Sequence, residues 1–141
     1  CIRDRKPVWL IDGDGSFQMT SEELAAAFLD HAPVKIALLN NSVYGMVRQW
    51  QTLFYNHHYS ATNLLDGENT SDIVDVPDFV KLAEAYGAEG YRVAKLEDLE
   101  STLRTAFASP NTAIIDVIVE RDENVYPTVP SGASLDEMLL L

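Results

Sequence analysis

The feature that most constrains this chain is a regular alternation between short apolar runs and segments with helical spacing. The apolar runs lie at residues 7–11, 34–39, 91–93 and 113–119. Amphipathic segments with helical spacing lie at residues 20–29, 46–54, 79–86 and 96–107. Strands that are apolar on both faces are typical of parallel sheets covered by helices. The pattern therefore predicts a three-layer α/β domain with a mainly parallel sheet, in which the first two runs are buried strands.

Local signals indicate where the elements begin and end. Thr20 and Glu23 have the spacing of a capping box, which predicts a helix start at Thr20. Residues 57–77 have little apolar periodicity and predict a long polar loop. Residues 124–141 predict an irregular tail, with one short helix near Leu135.

Composition excludes several classes of function. The chain has 141 residues, 47% hydrophobic content and a formal net charge of −12, so we expect one domain over residues 1–141 and no nucleic-acid partner. The only cysteine is Cys1, and no apolar run approaches the ~20 residues that span a bilayer. These features fit a cytoplasmic protein without a membrane partner. Because the chain starts with Cys1 and enters a strand almost at once, we expect it to be an excerpt of a longer chain.

Two strand ends carry polar residues of the same chemical kind. Asp14 follows the first apolar run and Asn41 follows the second, so the two side chains converge if these strands are neighbours. Carboxylate and amide oxygens suit Mg²⁺, which usually shares phosphate oxygens with its ligand. Gly13 and Gly15 allow backbone N–H groups to approach an anion, and Gly45 begins a helix that can point its amides at it. The spacing therefore predicts a site for a metal ion and a diphosphate.

The same residues resemble a known family. The sequence Gly-Asp-Gly at 13–15, then 24 residues, then Asn-Asn at 40–41 is similar to the signature of thiamine-diphosphate (ThDP) enzymes. Among these, the chain most resembles the acetohydroxyacid synthases, also called acetolactate synthases. The stretches that carry this closer likeness are residues 13–20, 45–51, 53–55, 59–60, 77–83 and 129–132. The resemblance runs over nearly the whole chain, and it implies the diphosphate-binding half of the ThDP fold.

The resemblance also implies roles for individual residues. The side chains of Asp14 and Asn41 and the backbone carbonyl of Val43 would bind Mg²⁺. Met19 would contact the cofactor, and Trp50 would shape the pocket for the second 2-keto acid and for herbicides. The residues that would line the diphosphate and thiazolium end are Gly13, Gly15, Ser16, Tyr44, Gly45 and Met46.

For the intact enzyme, the resemblance implies decarboxylation of pyruvate and its condensation with a second 2-keto acid in branched-chain amino-acid biosynthesis. A middle domain would hold FAD, and an N-terminal domain would supply the glutamate that activates ThDP. This chain would then hold no catalytic residue and would be inactive alone. Its partners would be the rest of the catalytic subunit, further copies in a homodimer or tetramer, and a regulatory small subunit.

Two other functions fit parts of the sequence. The run ending in Asp12-Gly13-Asp14-Gly15 also resembles haloacid-dehalogenase-type phosphatases, with Asp12 as nucleophile and Asp14 as acid. That reading lacks a strand before its acidic motif, and its only intervening lysine is Lys35, inside the second apolar run. The other alternative is a remnant that packs in an oligomer without binding a cofactor.

Five residues have simpler interpretations beside the functional ones. Met46 and Trp50 lie in an apolar helical stripe, so they could belong to the core. His57 and His58 are adjacent and do not share a helix face, which argues against a metal site. Asp116 interrupts the last apolar run and lies either at an exposed edge or beside a capping neighbour.

Overall fold

A computed structural model describes residues 6–64 and 77–140 of the chain. Its four strands are β1 (Val8–Gly13), β2 (Val34–Asn40), β3 (Glu89–Val93) and β4 (Ala113–Ile118). They form one sheet of order β1-β2-β4-β3, in which every pairing is parallel. The helices are α1 (Asp14–Phe17), α2 (Glu23–Leu29), α3 (Gly45–Phe54), α4 (Phe79–Ala85) and α5 (Leu96–Ala108). The predicted α/β class and parallel sheet are confirmed.

Two apolar clusters show that helices cover both faces of the sheet. Ile114 and Ile115 are consecutive on β4, so their side chains point to opposite faces. Ile114 belongs to a cluster that includes Phe17, Leu24, Ile36, Leu38, Phe79 and Ala83. Ile115 belongs to a second cluster that includes Val93, Ala106 and Ala113. The first cluster joins the sheet to α1, α2 and α4, and the second joins it to α5, which confirms the three layers.

The prediction that β1 is a buried strand was wrong. β1 is the edge strand of the described sheet, and Val8–Ile11 remain exposed, Ile11 at 72%. An apolar run indicates an extended segment that favours burial, but it does not say how many layers cover it in the folded chain. Among the described residues, one edge of β1 is therefore unpaired and its apolar side chains are exposed.

Two predicted local features also differ from the structure. α2 begins at Glu23 rather than at Thr20, and no side chain caps it. The backbone of Thr20 is already used in consecutive turns, since its N–H donates to Phe17 O and its carbonyl accepts from Glu23 N. Residues 12–15, whose glycines indicate a turn after the first strand, instead end β1 at Gly13 and begin the short helix α1 at Asp14.

The remaining boundaries agree with the sequence or lie outside the description. The predicted short helix near Leu135 is present as a 3-10 turn, Leu135–Glu137, and it carries a capping box that was not predicted. Of the predicted polar loop at residues 57–77, positions 65–76 lie outside the described residues. In the part of the chain that the structure describes, no helix is long and apolar enough to cross a membrane.

Candidate functional site

The carboxyl ends of β1 and β2 lie side by side, as the spacing predicted. Gly13, the last residue of β1, is in register with Leu39 near the end of β2. A pocket of about 710 Å³ opens at this edge of the sheet. Its lining includes Asp14 from the start of α1 and Asn41 from the turn after β2. The structure therefore brings together the two side chains that the sequence singled out.

Asp14 is the buried charge of this pocket, with 2% of its surface exposed. Its Oδ1 accepts the Gly15 N–H at 2.9 Å and its Oδ2 accepts the Ser42 N–H at 2.6 Å. Burial raises the pKa of the Asp14 carboxyl, and the N–H groups of Ser42 and Gly15 oppose that rise. A carboxylate has about four lone-pair sites, so two hydrogen bonds leave it able to bind a cation. A cation at this point would offset the cost of the buried charge.

The turn after β2 is held by a set of backbone and side-chain hydrogen bonds. Asn41 Oδ1 accepts the Val43 N–H at 3.2 Å, and Val43 forms an antiparallel bridge with Asn63. Beside that bridge, Tyr44 N donates to Thr62 O and Leu64 N donates to Ser42 O, both at 2.9 Å. The turn is thus fixed against residues 62–64, and its Ser42 N–H donates to Asp14.

A side chain would clash at Gly15 of the pocket and would be tightly packed at Gly45. A Cβ on Gly15 would lie 2.6 Å from the ring of Tyr44, and a Cβ on Gly45 would lie 3.1 Å from Asn41 Nδ2. Gly45 is also the first residue of α3, so its backbone N–H is free of the helix ladder and is available to an anion. Glycine at position 15 therefore avoids a clash with Tyr44, and glycine at position 45 avoids displacing the Asn41 side chain.

Of the predicted site residues, the pocket contains all but two. It is lined by Gly13, Asp14, Gly15, Ser16, Asn41, Val43, Tyr44, Gly45 and Met46. Met19 is not part of this lining and is 68% exposed on the turn after α1. Trp50 lines a second, smaller pocket of about 210 Å³ with Phe54, Tyr55, Pro130 and Ser131.

The sequence analysis missed pocket residues that follow β4. Val119, Glu120 and Glu123 join the lining, together with Leu39 and Val47. β4 pairs with β2, so its carboxyl end reaches the same edge of the sheet. The order of the strands could have revealed these residues, but the sequence does not state that order.

The idea that Met46 and Trp50 are core residues was wrong for the described chain. Met46 is 50% exposed, Val47 53%, Trp50 45% and Phe54 49%, and these four residues form what we call the α3 apolar face. The buried residue of α3 is Gln49, whose side chain exchanges two hydrogen bonds with the backbone of Val125. The helix therefore turns a polar side chain inwards and an apolar face outwards.

Comparison with known proteins identifies this architecture. Residues 2–117 match the family described as "Thiamine pyrophosphate enzyme, C-terminal TPP binding domain". The chain belongs to this family. Thiamine pyrophosphate is another name for ThDP, so the pocket at the ends of β1 and β2 lies in a ThDP-binding domain, as the resemblance implied.

Several relatives of this ThDP-binding domain are named acetolactate synthase. The chain is 48% identical over 137 residues to "Acetolactate synthase" of Mycobacterium leprae, covering 96% of this chain and 21% of that protein. It is 44% identical over 129 residues to "Acetolactate synthase catalytic subunit, mitochondrial" of Saccharomyces cerevisiae, covering 92% and 17%. The chain thus spans about a fifth of the length of these relatives.

Solved structures support the fold of the ThDP-binding domain. A ThDP-dependent 4-hydroxybenzoylformate decarboxylase from Rhodococcus jostii superposes with a TM-score of 0.69 at 32% identity, covering 86% of this chain and 21% of that one. A benzoylformate decarboxylase from Polynucleobacter necessarius has a TM-score of 0.70 at 23% identity, with the same coverage. Because its identity is only 23%, the second comparison supports the fold alone.

Membership of the ThDP family removes the phosphatase interpretation, and the geometry agrees. Asp12 does not line the pocket; its Oδ1 accepts the Gly13 N–H at 2.8 Å and the Ser16 hydroxyl. Lys35 is fully buried at the amino end of β2, where its Nζ donates to the carbonyls of Ser109 and Asn111. A phosphatase of this kind would need a lysine near Asp12, but Lys35 lies at the amino end of β2 and Asp12 lies near the carboxyl end of β1.

The ligands available in the domain decide which metal fits. Among residues 6–64 and 77–140, no three His, Cys, Asp or Glu side chains are grouped so as to hold a metal ion. His57 Nδ1 pairs with the Tyr59 hydroxyl at 3.1 Å. A site with one carboxylate, one amide and backbone oxygens suits a hard ion that takes its remaining ligands from a diphosphate.

Proposed function

We propose that this domain anchors ThDP and Mg²⁺ in the catalytic subunit of an acetolactate synthase. The observation that carries the proposal is the buried Asp14 carboxylate, which lies in one pocket with Asn41 at the ends of adjacent strands. The relatives named acetolactate synthase support the assignment of the reaction, with identities of 48% and 44% over more than nine tenths of the chain.

In this proposal, Asp14 and the side chain of Asn41 hold Mg²⁺ together with the Val43 carbonyl. The donor set supports this, since all three ligands are hard oxygens and Asp14 supplies the one negative charge. The diphosphate would lie against Gly13, Gly15, Ser16 and the amino end of α3. The net charge of −12 favours a metal ion at the site, because the diphosphate is itself an anion and the domain repels it at long range.

When bound, ThDP supplies the carbon nucleophile and the electron sink that decarboxylation of a 2-keto acid needs. The residues of this chain bind and orient that group. Tyr44 and Met46 line the pocket beside Gly15 and Gly45, and we propose that they exclude water from the thiazolium end. Met19 lies outside the pocket lining and is exposed, so its contact with the cofactor stays a prediction.

The remaining parts of the enzyme are also proposals. We place FAD, the glutamate that activates ThDP and the regulatory contacts in the four fifths of the relatives' length that this chain does not span. The α3 apolar face and the open edge of β1 support a larger assembly, since exposed apolar surfaces of this kind mark interfaces. We propose the cytosol as the compartment, while the yeast relative is named as mitochondrial.

The proposal is tested with the full-length catalytic subunit. We expect it to form acetolactate from pyruvate only when ThDP and Mg²⁺ are both present, and to release one CO₂ for each product molecule. The assay also separates the alternatives. Hydrolysis of phosphate esters without ThDP would support the phosphatase, and a protein that binds neither ThDP nor Mg²⁺ would be the non-catalytic remnant.

Trp50→Leu is expected to change the choice of the second 2-keto acid while leaving the fold intact. Trp50 is 45% exposed and packs edge-on against Phe54, with a ring separation of 6.1 Å, so its loss removes a pocket wall and not a core residue. A methylene-sized distinction in an apolar pocket corresponds to about 1–3 kcal/mol, or roughly 10- to 200-fold in relative rate. The measurement is competition between pyruvate and 2-ketobutyrate as acceptors.

The matched control for Trp50 is Phe107→Leu. Phe107 is also a large exposed aromatic residue, at 55%, but it lies on α5, away from both pockets. The control should leave the product ratio unchanged. A Trp50→Leu enzyme that unfolds, or that keeps the wild-type ratio, would contradict the assignment of Trp50 to the substrate pocket.

A further inference from the structure

A continuous line of polar contacts crosses the sheet and ends at Asp14. It starts at Asp116 on β4, which is fully buried, although the sequence left open an exposed position. Asp116 Oδ2 accepts from Arg92 Nε at 3.0 Å, and Asp116 Oδ1 accepts from Asn40 Nδ2 at 3.0 Å. Asp116 thus lies on a central strand between two donors, of which Asn40 is nearer the cofactor pocket.

The line continues from Asn40 through the turn after β2. Asn40 is 2% exposed, and its Oδ1 accepts both the Ser42 N–H at 3.1 Å and the Ser42 hydroxyl at 3.0 Å. The same Ser42 N–H also donates to Asp14 Oδ2 at 2.6 Å. Two hydrogen bonds therefore separate the buried Asp116 from the backbone N–H that binds Asp14.

The direction of the Asn40 amide depends on Asp116. An ionised carboxylate only accepts hydrogen bonds, so Asn40 must turn its Nδ2 towards Asp116 and its Oδ1 towards Ser42. Arg92 occupies the other oxygen of Asp116 and also pairs with Asp78 Oδ1 at 2.8 Å, which holds the carboxylate in place. A neutral or apolar residue at position 116 would not impose that direction.

The turn needs this support because Ser42 has a strained backbone. Its φ is +60°, a left-handed conformation that residues with a Cβ rarely adopt. The two bonds from Ser42 to Asn40 Oδ1 hold it there. The neighbouring Asn41 and Val43, which we propose as metal ligands with Asp14, therefore take their positions from the conformation of Ser42.

We propose that Asp116 and Asn40 are positioning residues for the metal site. Asp116 orients the Asn40 amide, and Asn40 fixes the turn at Ser42 so that Asn41, Val43 and Asp14 face one point. The inference rests on the proposed function, since it concerns the same site. It gives a role to Asp116 and Asn40, which are both buried and do not line the pocket.

Asp116→Asn in the full-length subunit is the direct test. The variant keeps the size of the side chain but presents an amide, whose oxygen is drawn to Arg92 and whose Nδ2 then faces Asn40. Asn40 is expected to flip and to lose its acceptor towards Ser42. Loss of such indirect support typically weakens metal binding by about 10- to 100-fold. The measurement is calorimetric titration of ThDP at a series of fixed Mg²⁺ concentrations, and we expect a shift of that size in the Mg²⁺ requirement.

Two further variants separate positioning from general stability. Thr112→Val removes a buried hydrogen bond of 2.7 Å to Ala32 O at the other end of the sheet, just before β4. It should lower the melting temperature and leave the Mg²⁺ requirement within about twofold of wild type, since a net hydrogen bond contributes only about 1 kcal/mol and the site is remote. Ser42→Gly should instead raise the Mg²⁺ requirement and leave the melting temperature near that of wild type. Glycine tolerates the left-handed backbone, while the hydroxyl bond to Asn40 is lost.

The outcomes are distinct. Weaker Mg²⁺-dependent binding in Asp116→Asn and Ser42→Gly, with a normal requirement in Thr112→Val, supports the positioning role. A normal requirement in Asp116→Asn, or a requirement that follows melting temperature across all three variants, overturns it. If Asp116→Asn fails to fold, Ser42→Gly decides alone. If the wild-type protein binds no ThDP with Mg²⁺, the proposed function itself fails, which is a different result from equal binding by wild type and variants.

Discussion

Replacement of Asp14 by alanine is expected to abolish Mg²⁺-dependent ThDP binding by the full-length subunit. Asp14 is the only carboxylate among the proposed metal ligands, and the diphosphate beside it is already anionic. The loss should therefore exceed the roughly 10- to 100-fold that removal of an indirect partner costs. Calorimetric titration of ThDP in the presence of Mg²⁺ measures it directly.

Asp14→Asn separates the binding role from the folding role. Burial raises the pKa of the Asp14 carboxyl. The contribution of this group to stability is therefore complete below its pKa in the unfolded chain and is lost as pH rises through its pKa in the folded chain. Asparagine removes the cost of burying an ionisable group, but it can accept only one of the two N–H groups that Asp14 binds, so the two changes oppose each other. We expect Asp14→Asn to lose binding while its melting temperature without metal stays close to wild type.

Asp12→Asn is the matched control for both Asp14 variants. Asp12 is a carboxylate two residues away, but its bonds go to Gly13 N and the Ser16 hydroxyl and it does not line the pocket. Binding should remain within a few fold of wild type, since only the support of Ser16 changes. Undiminished ThDP binding by Asp14→Ala would show that the metal ligand has been assigned to the wrong residue.

The sequence predicted the residues of the pocket more completely than it predicted which apolar residues are exposed. Asp14 and Asn41 could be placed together because both follow strands, and the carboxyl ends of neighbouring parallel strands share an edge. Glu120 and Glu123 could not, because their place depends on β4 pairing with β2 rather than with β3 alone. The order of strands is a tertiary property that hydrophobic periodicity does not encode.

Apolar patterns gave wrong predictions of burial for α3 and β1, whose apolar residues are exposed. The α3 helix has the spacing of a core helix, yet it buries Gln49 and exposes Met46 and Trp50. β1 reads as a buried strand and is an exposed edge. Periodicity reports that a face is apolar, and it does not distinguish a face that packs within the domain from one that packs against another domain. Both errors lie beside the cofactor pocket, where the proposed assembly requires such surfaces.

The 141-residue chain alone is expected to be catalytically inactive. In the proposed enzyme, the diphosphate is held through Asp14 and Asn41, and the aminopyrimidine is held by a separate domain that also supplies the activating glutamate. The pocket described here is open at the α3 apolar face, so the rings of ThDP would remain in contact with water. Burial of apolar surface contributes about 25 cal/mol per Å², and that contribution is absent without the second half of the site.

Three measurements on the isolated chain follow from this incompleteness. Acetolactate should be undetectable at enzyme concentrations where the full-length subunit saturates the assay. ThDP affinity should be weak, because only the diphosphate end is held. The chain should self-associate as its concentration rises, since β1 and the α3 apolar face leave two apolar surfaces exposed. Trp50→Lys should weaken self-association by placing a charge on the α3 apolar face, with Phe107→Lys as the control on α5. Acetolactate formation by this chain, purified free of the full-length protein, would mean that the catalytic half of the site lies within these residues after all.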